Sequence, residues 1–129
     1  MSPQFSSAKP CVLAIDDEKD LLDIIKTTLE GEGYEVLTAN NPNDGLKLYE
    51  EHWKKIGVVL LDFLMPEMTG DLVFECLLRQ NPYVKVLLLT ACDDHVARRM
   101  FEQGLRGYVQ KPFYLNDLIA RVGEEINSL

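Results

Sequence analysis

Five short apolar runs are spaced along the 129-residue chain, and the stretches that follow them carry apolar residues at helical period. The runs are "CVLAI" (11–15), "EVLTA" (35–39), "GVVLL" (57–61), "KVLLLT" (85–90) and "GYVQ" (107–110). After the first, Leu21, Leu22, Ile25 and Leu29 share one helical face; after the second, Asn41 and Pro42 supply a cap and a first-turn proline for a helix to about Glu51. "GDLVFECLLRQN" follows the third, a helix from about Asp93 to Gln103 follows the fourth, and Leu115, Leu118, Ile119, Val122 and Ile126 mark the last. Strands joined through helices run parallel, and right-handed crossovers cover both faces of the sheet. The predicted fold is therefore α/β: a single doubly wound, five-stranded parallel sheet with five helices. The length suits one core, with residues 1–9 a polar tail or cloning remnant and 10–129 the domain.

Composition narrows the function. A net charge of -8 repels phosphate backbones and argues against direct binding of nucleic acid. No apolar stretch approaches the roughly 18 residues of a membrane span, and "MSPQFSSAKP" lacks a signal-peptide core, so a soluble cytoplasmic protein is expected. Cys11, Cys76 and Cys92 lack metal-ligand spacing and read as reduced, mostly buried residues; His52 and His95 read as surface histidines.

Chemistry gathers at the strand ends. In open α/β sheets the ligand site lies beyond the carboxyl ends of the strands, where the strand order reverses. There stand Asp16 and Asp17 after the first run, Asp62 after the third, Thr90 after the fourth and Lys111 just past the fifth. A carboxylate ending a buried strand is costly unless compensated, and three converging carboxylates raise one another's pKa. Oxygen ligands suit a hard ion, so Mg²⁺ with Lys111 as a further point charge would supply the compensation. Such a site suits phosphoryl transfer: Asp62 as nucleophile, Mg²⁺ and Lys111 facing the phosphoryl oxygens, the Thr90 hydroxyl as donor, and an aspartyl phosphate as product.

"DD" at 16–17, "DFLMPEMTG" at 62–70, "LTA" at 89–91 and "GYVQKPF" at 107–113 together resemble the receiver domain of two-component response regulators, over about Cys11 to Ile126. The resemblance implies the flavodoxin-like strand order 2-1-3-4-5, and phosphorylation of Asp62 by a histidine kinase or histidine phosphotransfer domain. It implies Mg²⁺ held by Asp17, Asp62 and the Leu64 carbonyl, with Asp16 acting mainly through a metal-bound water. It also implies a cis Lys111-Pro112 bond, and a switch in which Thr90 moves toward the phosphoryl group and Tyr108 turns inward. Output would go to a downstream effector protein or domain, and the face of helices four and five, where Val96, Met100 and Phe101 are expected to be partly available, would offer a surface for a phosphorylation-dependent dimer. Leu64 and Cys92 depart from the pattern, because similar domains often carry water-contacting polar groups there. A haloacid-dehalogenase-like phosphatase would also use an aspartate nucleophile, Mg²⁺, threonine and lysine, but wants Asp-x-Asp after the first strand where this chain has adjacent Asp16-Asp17. A flavin-binding module is disfavoured by the lack of a Ser/Thr/Gly run in the loop after the first strand.

Overall fold

The computed structural model describes residues 9–90 and 94–128. The elements alternate as β1 (Cys11–Ile15), α1 (Lys19–Gly31), β2 (Glu35–Ala39), α2 (Pro42–His52), β3 (Ile56–Asp62), α3 (Gly70–Gln80), β4 (Val86–Thr90), α4 (Asp94–Glu102), β5 (Gly107–Gln110) and α5 (Leu115–Asn127). The strands form one parallel sheet in the order β2-β1-β3-β4-β5. The chain order therefore reverses at β1, and the crevice between the ends of β1 and β3 is where a ligand site belongs.

Alternation along each strand divides the core in two. Leu13, Ile15, Val59, Leu61, Val86 and Leu88 face α2, α3 and α4, where Tyr49, Phe74, Leu77 and Met100 cover them. Val12, Ala14, Val58, Leu60, Leu87 and Leu89 face α1 and α5, under Leu22, Ile25, Leu29, Leu118 and Val122. Burial on both faces is why the strands read as continuous apolar runs.

The predicted helix starts hold where side chains fix them. Asn41 Oδ1 accepts from the Asp44 N–H at 2.8 Å, capping α2, and Pro42 occupies its first turn. Gly45, unfavourable by propensity in mid-helix, has a packing reason: a Cβ there would lie 2.6 Å from the Ile15 side chain of β1. Several boundaries differ from the sequence reading. Strand β3 runs from Ile56 through Asp62, because Asp62 is still in register with Leu89 of β4. Strand β4 starts at Val86, one residue later than expected, and α4 ends at Glu102, while Asp93 lies outside the described residues. Met100, expected to be partly available, is fully buried in the core; Val96 is half-buried and Phe101 exposed. Cys11 is buried and Cys76 half-buried, whereas Cys92 lies outside the described residues.

At the far end of the sheet, α5 is pinned by polar contacts. Lys85 Nζ donates to the Glu125 and Ser128 carbonyls at 2.8 and 2.6 Å, while Arg106 Nε donates to the buried Glu125 carboxylate at 2.8 Å. The first two reach carbonyls at the end of the helix, of which that of Glu125 also accepts the Ser128 N–H at 3.2 Å. Among the described residues, no helix is long and apolar enough to cross a membrane.

Candidate phosphoryl-acceptor site

Sheet order and strand ends bring Asp16, Asp17, Asp62, Thr90 and Lys111 into one region. Asp16 follows β1 and is fully buried, Asp62 ends β3 at 5% exposure, and Thr90 ends β4 at 2%. Asp17 is exposed at the mouth. One carboxylate oxygen from each of Asp16, Asp17 and Asp62 lies within 4.8 Å of the others. Asp17, Glu18, Asp62, Leu64, Thr90 and Lys111 line an open cleft of about 290 Å³.

Lys111 reaches into this cluster from the loop after β5, where its peptide bond to Pro112 is cis. Its Nζ donates to Asp16 at 2.8 Å, Glu18 at 3.1 Å and Asp62 at 3.2 Å. The backbone holds the stem: Lys111 N–H donates to the Thr90 carbonyl at 2.8 Å. Asp16 is fixed from its other oxygen, which accepts the Glu18 N–H at 2.8 Å. Glu18 went unnoticed in the sequence, where an acidic residue opening a helix reads as a favourable interaction with the helix dipole.

The loop from Phe63 to Thr69 is closed by the Gly70 N–H donating to the Phe63 carbonyl at 2.7 Å, with Met65 buried as an anchor. Gly70 lies so close to the β3 end that a Cβ would sit 2.7 Å from the Asp62 carbonyl oxygen and 2.9 Å from Phe63 Cα. Both are backbone atoms that cannot swing away. Gly70→Ala is expected to destabilise the fold by about 1–3 kcal/mol, as overpacking does, and to displace Asp62. Urea denaturation of the two proteins checks it; equal midpoints would contradict it.

One ammonium does not balance this many carboxylates. Asp62 is pushed up to about 6, first by burial and then by the charge of Asp16, with Lys111 only partly offsetting both. Burial likewise raises Asp16, against the hydrogen bond from Lys111. Burial alone would lower Lys111, but its hydrogen bond to Asp16 and the charges of Asp16 and Asp62 prevail and raise it above the ordinary lysine range. Surplus negative charge on oxygen donors is the environment a divalent cation relieves, so the residues present fit a hard metal ion.

A doubly wound sheet with an acidic pocket at its reversal point and a lysine donating to the carboxylate that ends β3 defines a class: α/β proteins that bind a ligand at the strand ends. The sequence profile of the response regulator receiver domain matches residues 12–123. The chain therefore belongs to the response regulator receiver family. Solved structures agree. A receiver domain protein from Clostridium thermocellum is 34% identical, with TM-score 0.86, covering 91% of this chain and 94% of that one. The non-phosphorylated HemR receiver domain from Leptospira biflexa is 28% identical, with TM-score 0.87, covering 94% and 97%. The BeF3-activated DrrB receiver domain is 28% identical, with TM-score 0.81, covering 93% and 99%. As a member of this family the chain is a phosphoryl-accepting aspartate switch, and its catalysis is confined to its own phosphorylation and dephosphorylation. The phosphatase and flavin-binding readings weighed from the sequence give way to it.

Proposed function

We propose that Asp62 is the phosphoacceptor of a signalling switch formed by residues 10–129 and working in the cytoplasm. The observation that carries this reading is the convergence of Asp16, Asp17 and Asp62 with Lys111 donating to Asp62. An Asp62 carboxylate oxygen attacks the phosphorus of a phosphohistidine on a histidine kinase or histidine phosphotransfer domain. A P–O bond forms as the P–N bond breaks, and the imidazole leaves with the electron pair. Asp17, Asp62 and the Leu64 carbonyl would hold Mg²⁺, with the Asp16 carboxylate close by as a further source of negative charge. When bound, the ion neutralises charge developing on the phosphoryl oxygens. Lys111, already donating to Asp62, would share that task, and the Thr90 hydroxyl would donate to the phosphoryl group. Thr90 and Tyr108 carry the change to a downstream effector protein or domain, with a phosphorylation-dependent dimer through the α4 to α5 face as one form that output can take.

Intact mass after treatment with acetyl phosphate and Mg²⁺ tests the assignment. Wild type is expected to gain one phosphoryl group and Asp62→Asn none, since the amide keeps the shape but is no carboxylate nucleophile. Equal labelling would remove Asp62 from the role.

Lifetime is a separate expectation. Hydrolysis of an aspartyl phosphate needs a water held in line by polar groups, and Leu64, 61% exposed on the cleft, offers only apolar surface. Leu64→Asn is therefore expected to speed loss of the phosphoryl group by on the order of tenfold. Following the decay of both phosphorylated proteins decides it; an equal or slower rate would reject a role for Leu64.

A further inference from the structure

Phe101 is a large apolar side chain left 42% exposed on α4, and among the described residues it stands outside both apolar core clusters. Its ring meets that of Tyr108 edge-on, with centroids 6.2 Å apart and planes at 67°. In that geometry the positive edge of one ring faces the negative face of the other. Tyr108 is itself 40% exposed on β5, the edge strand of the sheet. The register pairs Tyr108 with Leu88, and alternation along β4 puts Leu88 and Thr90 on the same face. Tyr108 and the buried Thr90 thus share one face on adjacent strands. The Tyr108 ring rests outward against Phe101, and the face it stands on leads along the strands to Thr90.

We infer that Phe101 is a positioning residue for the switch: its ring holds Tyr108 outward and so sets how strongly the acceptor site must be occupied before Tyr108 turns. The inference rests on the reading of Thr90 and Tyr108 given under the proposed function. Its sign follows from which state contains the contact. The edge-on pair exists with Tyr108 outward and is lost when the ring leaves, so it favours the resting state. A ligand of the other state must overcome that preference, and by linkage binds more weakly because of it. A pair of this geometry shifts the balance roughly 2- to 12-fold. An aliphatic side chain at 101 could still touch Tyr108 but would lack the ring-edge attraction, whereas tyrosine would keep it.

The experiment titrates the full chain with BeF3⁻ at saturating Mg²⁺, reading the midpoint from amide spectra and Tyr108 itself from incorporated fluorotyrosine, assigned with Tyr108→Phe. Phe101→Leu is expected to lower the midpoint roughly 2- to 12-fold and to move the Tyr108 resonance of the ligand-free protein part of the way toward its bound position. Phe101→Tyr should restore wild-type behaviour. In a Tyr108→Ala background, Phe101→Leu should change nothing, because the ring it acts through is gone. An unchanged midpoint in Phe101→Leu would overturn the inference, as would an equal shift in the Tyr108→Ala background, which would assign Phe101 to the stability of α4 instead. Failure of wild type both to bind BeF3⁻ and to accept a phosphoryl group would overturn the acceptor-site reading, and this inference with it.

Discussion

Replacing Lys111 with methionine is expected to lower stability near neutral pH, without divalent metal, by on the order of 3 kcal/mol. Methionine keeps much of the apolar stem and removes the ammonium. That ammonium is within hydrogen-bonding distance of Asp16, Glu18 and Asp62, and Asp16 has no exposed surface through which water could take over. Removing one partner of a buried pair leaves the other charge uncompensated, which is the costly case. Asp16 and Asp62, already raised by burial, can relieve the strain by taking up protons. The deficit should therefore shrink as the pH falls toward about 4, where even an ordinary aspartate is about half protonated and both of these carboxyls are raised above that value. Urea denaturation in chelator at both pH values measures it. A deficit of equal size at the two would show that Lys111 acts through packing of its stem.

The contrast between Lys111 and Glu18 shows what the sequence made legible. Each strand ends in a recognisable place, so Asp16, Asp17, Asp62, Thr90 and Lys111 could be put on one edge of a parallel sheet from apolar runs and helical periods alone. The pairing between them was another matter. Lys111 and Glu18 are 93 residues apart, and nothing in local pattern says which carboxylate a lysine will meet. The Asn81 amide donating to the buried Tyr49 hydroxyl at 3.0 Å, across 32 residues, was invisible for the same reason. Val96, Ala97, Met100 and Phe101 are all apolar on the short α4, and sequence pattern alone does not say which of them the sheet beneath covers. Ala97 and Met100 turn into the core, leaving Phe101 on the rim. Gly45 and Gly70 read as a weak point and a loop end. Only the proximity of the Ile15 side chain and of the Asp62 backbone explains why no larger residue fits.

Asp62→Asn is expected to stabilise the metal-free protein near neutral pH by on the order of 2–3 kcal/mol while abolishing phosphorylation. The gain comes from removing a charge that the fold holds against its preference. Asp62 lies at about 6 in the folded chain, above its ordinary 3.8, through burial first and the charge of Asp16 second. A carboxyl whose folded pKa is raised lends its stabilisation below the unfolded value and loses it as the pH rises through the folded one, because between the two the folded state holds the extra proton. Wild type should therefore lose stability as the pH climbs from about 4 to about 6, and Asp62→Asn should lose distinctly less over that window. Adding Mg²⁺ at neutral pH should narrow the gap from the wild-type side, since a cation bound to the folded state stabilises it by mass action and the neutral amide of the variant would be a poorer ligand. Thermal melts of both proteins across that pH range, in chelator and in Mg²⁺, provide the check. Parallel pH profiles in chelator would mean that Asp62 is not the strained carboxylate of this site, and that the penalty of burial falls on Asp16 instead.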